Sequence, residues 1–151
     1  MSQHAARLPY HQLSSKAFMG LVYVSEAVKK GALGARLSEL VFLRVSQING
    51  CAHCIDLHTR DLLKTMSLDK VVLLPVWAEV PHLFDPRYRA ALAWAEEVTR
   101  VSETHASDDA YAAVAAVFEP RDLVDLTIAI AAMNAFNRLG APFRLPVKAK
   151  P

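Results

Sequence analysis

The chain has 151 residues, of which 53% are apolar and 21% charged, and its formal net charge is +2. That length predicts one domain, and so small a charge excess gives no footprint for nucleic acid. A domain of this size cannot hide so large an apolar fraction alone, so a buried subunit interface is expected.

Residues 1–12 carry Arg and His but no apolar run, so no signal peptide is expected. Leu8 to Lys30 reads as one long helix, with Leu13, Ala17, Leu21, Val24 and Val28 recurring at helical spacing. Lys29 and Lys30 followed by Gly31 suit its C-terminus, where cations meet the negative end of the dipole. Arg36 to Ile48 is a second helix, with Leu37, Leu40, Val41, Val45 and Ile48 on one side and Ser38 and Glu39 early in it. Asn49-Gly50 turns the chain. A third helix runs from about Cys51 to Met66, and Ser67 is placed to cap a shorter one. Pro75 and Pro81 bracket a loop or a broken helix. Asp85-Pro86 starts the next helix, which continues to about Thr99. Ser107-Asp108-Asp109 caps another, Ala110 to Phe118. Glu119-Pro120 opens the last long helix, to about Leu139, and Gly140-Ala141-Pro142 stops it. Residues 143–151 are expected to be extended. No strand-like alternation, repeat or linker is present. The fold class predicted is all-α, a single domain over residues 1–151 with about six or seven helices.

The longest apolar stretch, Leu123 to Leu139, is interrupted by Asp125, Asn134, Asn137 and Arg138, which makes it too short and too polar to span a membrane. A cytoplasmic location is therefore expected. In that compartment a CxxC pair points to catalysis or metal binding before structural stapling.

Both cysteines lie in the stretch Cys51-Ala52-His53-Cys54-Ile55-Asp56-Leu57-His58. Spacings of three and four put Cys51, Cys54 and His58 on one helical face, with His53 on its flank. A helix N-terminus and a nearby imidazolium each favour thiolate, the reactive form of cysteine. A second cysteine three residues away can resolve a sulfenic acid as a disulfide. Zinc is the competing reading, since Cys51, His53, Cys54 and His58 are all ligand types. Four ligands within one short stretch of helix cannot easily surround an ion, however, and His82 and His105 are isolated. Taken singly, His53 reads as a solvated residue and His58 as a satisfied core histidine. Glu39 has apolar neighbours; if buried it needs a partner, and burial would raise its pKa. Asn134 and Asn137 lie one turn apart in an apolar helix, so at least one is expected to be buried and hydrogen-bonded in a structural role. Trp77 and Trp94 read as core or interface.

Glu39, eleven residues, Cys51, two residues, Cys54, three residues, His58, with His53 between the cysteines, resembles the signature of the alkylhydroperoxidase D (AhpD)-like group of the carboxymuconolactone decarboxylase superfamily. Tyr88-Arg89-Ala90-Ala91-Leu92-Ala93-Trp94-Ala95 and the Ile130–Leu139 segment resemble that group too, and the likeness covers roughly residues 13–146. It implies an AhpD-like helical fold that assembles as a trimer or hexamer. It implies a thiol peroxidase in antioxidant defence, acting on hydrogen peroxide or an organic hydroperoxide. Cys54 would attack the peroxide and Cys51 would then form a redox-active disulfide with it. Glu39, His53 and His58 would relay protons. A thioredoxin-type reading would instead favour Cys51, as the more exposed thiol. No metal or other cofactor is called for, and the implied partner is a dithiol reductant of lipoyl or thioredoxin type. A decarboxylase or lactone-processing role would have no use for the CxxC, and a non-catalytic redox-sensing assembly is the reading from outside enzymology.

Overall fold

Between Leu37 and Val45 apolar side chains occur on every side of the second predicted helix, and a helix apolar all round is buried. The computed structural model describes residues 5–147 and places this helix at the centre of the molecule. Among those residues there are nine α-helices and no strand. They are α1 (Tyr10–Leu13), α2 (Ser15–Lys30), α3 (Gly34–Asn49), α4 (Ala52–Leu62), α5 (Leu68–Leu73), α6 (Pro86–Thr99), α7 (Val101–Thr104), α8 (Asp108–Ala115) and α9 (Pro120–Gly140). The all-α prediction holds. None of these helices is long and apolar enough to cross a membrane.

Helix α3 lies between two apolar clusters. Leu37, Val41, Phe42 and Val45 join one that includes Ala91, Leu126, Ile130 and Met133 from α6 and α9. Leu40 and Leu43 join the other, with Leu62, Val71, Leu74, Phe84 and Leu92. Each fully buried side chain of this kind contributes on the order of 2 kcal/mol. Because α3 packs against α2, α4, α6 and α9, its polar residues are enclosed as well. Ser38, Glu39 and Ser46 are all buried for this reason.

Two of the predicted starts are met by side-chain caps, whereas Ser67 takes the N-cap position of α5 with extended backbone and its hydroxyl makes no cap hydrogen bond. The Asp85 carboxylate accepts from the Tyr88 amide, and the Ser107 hydroxyl from the Ala110 amide. Pro75 and Pro81 sit in two short 3-10 segments, Leu74–Glu79 and Pro81–Leu83, where their missing N–H groups cost little. Several boundaries differ from expectation; the helix expected over Ala110 to Phe118 runs from Asp108 to Ala115. The first helix is two, because Ser14 leaves helical geometry at φ −132° and ψ 55°. That break lets the Tyr10 ring stack on Phe143 and meet Phe18. Helix α4 ends at Leu62, four residues before the expected Met66. Helix α9 runs one residue past expectation, so Gly140 is its last helical residue.

After α9 the chain turns through Arg144 and continues without regular structure to residue 147; the rest of the segment expected to be extended lies outside the described residues. The Arg7 amide donates to the Phe143 carbonyl and its guanidinium to the Pro142 carbonyl. The segment before α1 is thereby tied to the segment after α9.

A candidate thiol site at the start of helix α4

The turn from α3 into α4 fixes where the sulfurs stand. Gly50 occupies the left-handed region (φ 67°, ψ 31°), which glycine adopts without steric cost. Its amide bonds the Gln47 carbonyl, and the Cys51 amide bonds the Ser46 carbonyl. This is a Schellman closure of α3. It delivers Cys51 directly into the N-cap position of α4, where its sulfur accepts from the Cys54 amide at 3.4 Å.

Cys51 and Cys54 are joined as a disulfide, with Cα atoms 5.3 Å apart. Cys51 has no exposed surface and Cys54 keeps 6%. The expectation that Cys51 would be the more exposed sulfur is therefore wrong: α9 and the preceding turn enclose it, while Cys54, one helical turn on, reaches the wall of a cavity. That cavity has a volume of about 530 Å³. Phe18, Val22, Phe42, Leu57, Met133 and Phe136 give it an apolar lining, and Glu39, His53 and His58 face it with Cys54.

The two sulfurs are seated by α9. A Cβ placed on Gly140 would stand 2.9 Å from the Cys51 sulfur and 3.3 Å from the Cys54 sulfur, so only a residue without a side chain fits the α9 backbone there. The asparagines expected to be structural hold the same junction. The Asn49 amide donates to the side-chain oxygens of both Asn134 and Asn137, each at 2.9 Å. Asn137, 1% exposed, also donates to Ser46. Arg138 donates to both oxygens of Asn134. Of the two tryptophans, Trp94 is buried and bonds Thr127, and Trp77 is half-buried and bonds Glu96.

Four of the five predicted residues converge on the cavity wall: Glu39, His53, Cys54 and His58. Cys51 joins them through the disulfide. The Glu39 Oε2 lies 2.7 Å from His58 Nδ1, and the Phe42 ring packs 5.3 Å from the imidazole. With Nδ1 so engaged, Nε2 is the ring nitrogen that Glu39 leaves unheld. His53 is placed differently: its Nδ1 lies 2.7 Å from the Pro146 carbonyl, so it holds the segment after α9 against α4.

Lys29, which sequence reading assigned to a helix end, reaches from α2 to donate to Glu39 Oε1. It extends the acid–imidazole pair to a third helix. Nothing in the spacing of α2 and α3 announces this contact, because it depends on the angle at which they pack.

The expected rise in the Glu39 pKa does not occur. Burial pushes this carboxyl up, but the hydrogen bonds from His58 and Lys29, with their charges, outweigh it and hold it below the ordinary value of 4.5. A group depressed in the folded state adds stability that is complete above its unfolded value and lost as pH falls through its folded one. Resistance to chemical denaturation should therefore fall as pH drops below about 4.5, and Glu39→Gln should flatten that acid limb. At neutral pH the same variant should lose about 1–3 kcal/mol, because Lys29 and His58 lose a charged partner. Urea midpoints measured across pH 3–7 would show both effects.

Comparisons with known proteins bear on the family and the fold. The model of the carboxymuconolactone decarboxylase family matches residues 16–97, which include Glu39, both cysteines, His53 and His58. A crystal structure from Agrobacterium tumefaciens superposes with a TM-score of 0.90 at 34% identity, over 97% of this chain and 100% of that one; it is described as a protein of unknown function and a candidate AhpD antioxidant defence protein. A peroxidase-related protein from Silicibacter sp. TM1040 shares the fold, with a TM-score of 0.79 at 19% identity over 91% of this chain and 74% of its own. The uncharacterized protein YdfG of Bacillus subtilis is 29% identical over 134 residues, 88% of this chain and 90% of its own length. The uncharacterized YnjA of Escherichia coli is 28% identical over 121 residues, 80% of this chain but 65% of that longer protein. With the match covering more than half the chain and the fold shared end to end, the protein belongs to the carboxymuconolactone decarboxylase family and has an AhpD-like fold.

Proposed function

We propose that this protein is a thiol-dependent peroxidase that reduces hydrogen peroxide or organic hydroperoxides through the Cys51/Cys54 pair. The observation that carries the reading is the position of Cys54, on the wall of an apolar cavity beside the Glu39–His58 pair and within disulfide reach of a buried Cys51. The likeness to a candidate antioxidant defence protein supports it.

In the reduced protein the Cys54 proton passes to His58, whose charge is balanced by Glu39. The thiolate attacks one peroxide oxygen and the O–O bond breaks. The leaving alkoxide or hydroxide takes the proton from His58 and departs as alcohol or water, leaving Cys54 as a sulfenic acid. The Cys51 thiol attacks that sulfur, an S–S bond forms, and the hydroxyl leaves as water. A dithiol reductant of lipoyl or thioredoxin type then returns two electrons and two protons by thiol–disulfide exchange. A helix N-terminus and an imidazolium both favour the thiolate this cycle requires.

The test is a titration of reduced protein with hydrogen peroxide and with an organic hydroperoxide. The expected result is rapid loss of both thiols, one equivalent of peroxide consumed per disulfide (with one alcohol released from an organic hydroperoxide), and continuous turnover once a dithiol donor is added. Survival of both thiols in excess hydroperoxide would remove the reading.

A further inference from the structure

Three carboxylates face the cavity, and each has its own lysine. Glu26 on α2 pairs with Lys30 at 3.4 Å, and Asp61 on α4 pairs with Lys64 at 2.6 Å. Lys30 and Lys64 are 78% and 71% exposed. Surface pairs of this kind contribute little. Glu39 is different: its side chain is 7% exposed, and its lysine, Lys29, is 33% exposed and itself lines the cavity. A buried carboxylate without compensation is costly, and Lys29 supplies compensation that one histidine cannot give while neutral.

The placement matters for the sulfur. An ionised Glu39 orients His58, but its negative charge also opposes a second anion on Cys54. A fixed cation on the far oxygen of the carboxylate keeps the orienting bond and cancels much of the opposing field. We propose that Lys29 is a positioning residue for the Cys54 thiol: its ammonium fixes the Glu39 carboxylate on His58 and offsets the charge that would oppose a thiolate.

The other ionisable groups facing this cavity are Tyr10 and His11 from α1, Glu26 from α2, and His53 and Asp61 from α4. Lys64, just beyond α4, also feels the charge of Glu39. Lys29 is the one permanent cation among the described residues lining the cavity. Removing a positive charge from a cluster raises the proton affinity of every member, whichever group holds the proton. The sign of the effect therefore does not depend on how the proton is shared between Cys54 and His58.

The inference deepens the peroxidase reading but rests on it only for turnover. The test uses reduced protein carrying Cys51→Ser, so that Cys54 alone is read, and follows its alkylation by iodoacetamide against pH. Lys29→Met should move the midpoint of thiolate formation up by about one unit, and Lys29→Arg should restore it to near the parent value. Lys29→Gln, which keeps a donor for the Glu39 carboxylate but carries no charge, should move the midpoint the same way, which covers the case of a Met variant that does not fold. A folded Lys29→Met protein with an unmoved midpoint would reduce Lys29 to a brace between α2 and α3 and overturn the proposal. So would an unmoved midpoint in a folded Lys29→Gln protein. Peroxide consumption by Lys29→Met with both cysteines intact should show its acid limb displaced by the same interval, with KM little changed. If the wild type consumes no hydroperoxide while the alkylation midpoint still moves, the positioning role stands and the peroxidase reading fails.

Discussion

Cys54→Ser should abolish hydroperoxide consumption, lowering kcat/KM by about three orders of magnitude or more. The hydroxyl cannot substitute because it stays protonated in the physiological range, and His58 provides no strong base to ionise it. Cys51→Ser should behave differently. With Cys54 alone at the cavity, the first peroxide equivalent is still consumed, and the sulfenic acid persists because no second sulfur resolves it. One variant is dead in the first turnover and the other stalls after it. A dimedone-type trap followed by mass measurement should label Cys51→Ser after one equivalent of peroxide and leave Cys54→Ser unlabelled. Labelling of Cys54→Ser would make Cys51 the attacking sulfur, although it has no exposed surface in the oxidised protein.

The second large effect is expected at a residue with no side chain. Gly140→Ala puts a methyl group 2.9 Å from the Cys51 sulfur, a closeness real Cβ atoms essentially never show, and a tight 3.3 Å from that of Cys54. The atoms it meets are the linked sulfurs, which cannot rotate aside as a flexible chain end would. Overpacking of this kind costs about 1–3 kcal/mol. In the dithiol form each sulfur regains its own rotamers, so the strain falls mainly on the oxidised protein. The disulfide of Gly140→Ala should then be easier to reduce, its potential raised by about 20–60 mV against wild type. Equilibration with a dithiothreitol or glutathione couple measures the potential. Urea unfolding of both redox forms checks that the loss is one-sided. Equal destabilisation of the two forms would mean that α9 shifts as a whole to relieve the contact.

How far the sequence carried this reading varies with the range of the interaction. Caps and turns are local, so Asp85, Ser107 and the Asn49-Gly50 turn were legible residue by residue. Placing Cys54 and His58 on one face of a helix needed only helical spacing. The pairing of Glu39 with His58 came through family resemblance, because α3 and α4 meet across a turn whose angle no periodicity encodes. Lys29 was read from its neighbours as a dipole-compensating helix end. That reading accounts for Lys30, which stays at the surface, and misses Lys29, which turns inward. Gly140 was read as a helix stop, since glycine after an apolar run commonly is one. It is in fact the place where one backbone passes the sulfurs of another helix, and a close approach between distant segments leaves no mark on local pattern. The pKa of Glu39 failed as an expectation for a related reason: burial could be guessed from its apolar neighbours, but the two partners that outweigh burial come from other helices.

The tie between Arg7 and Phe143 gives the cavity an uneven durability. Tyr10, His11 and Leu145, which form part of its wall, belong to the two segments that this tie joins, whereas Phe42 and Met133 belong to the central packing. Amide exchange in such a molecule is layered: segments held by a few exposed hydrogen bonds open at far lower free energy than a helix buried on all sides. Opening of these two segments would unwall Cys54 while α3 and α9 stay folded. In the cycle proposed above, such an opening would admit a bulky dithiol to the sulfur at much less cost than global unfolding.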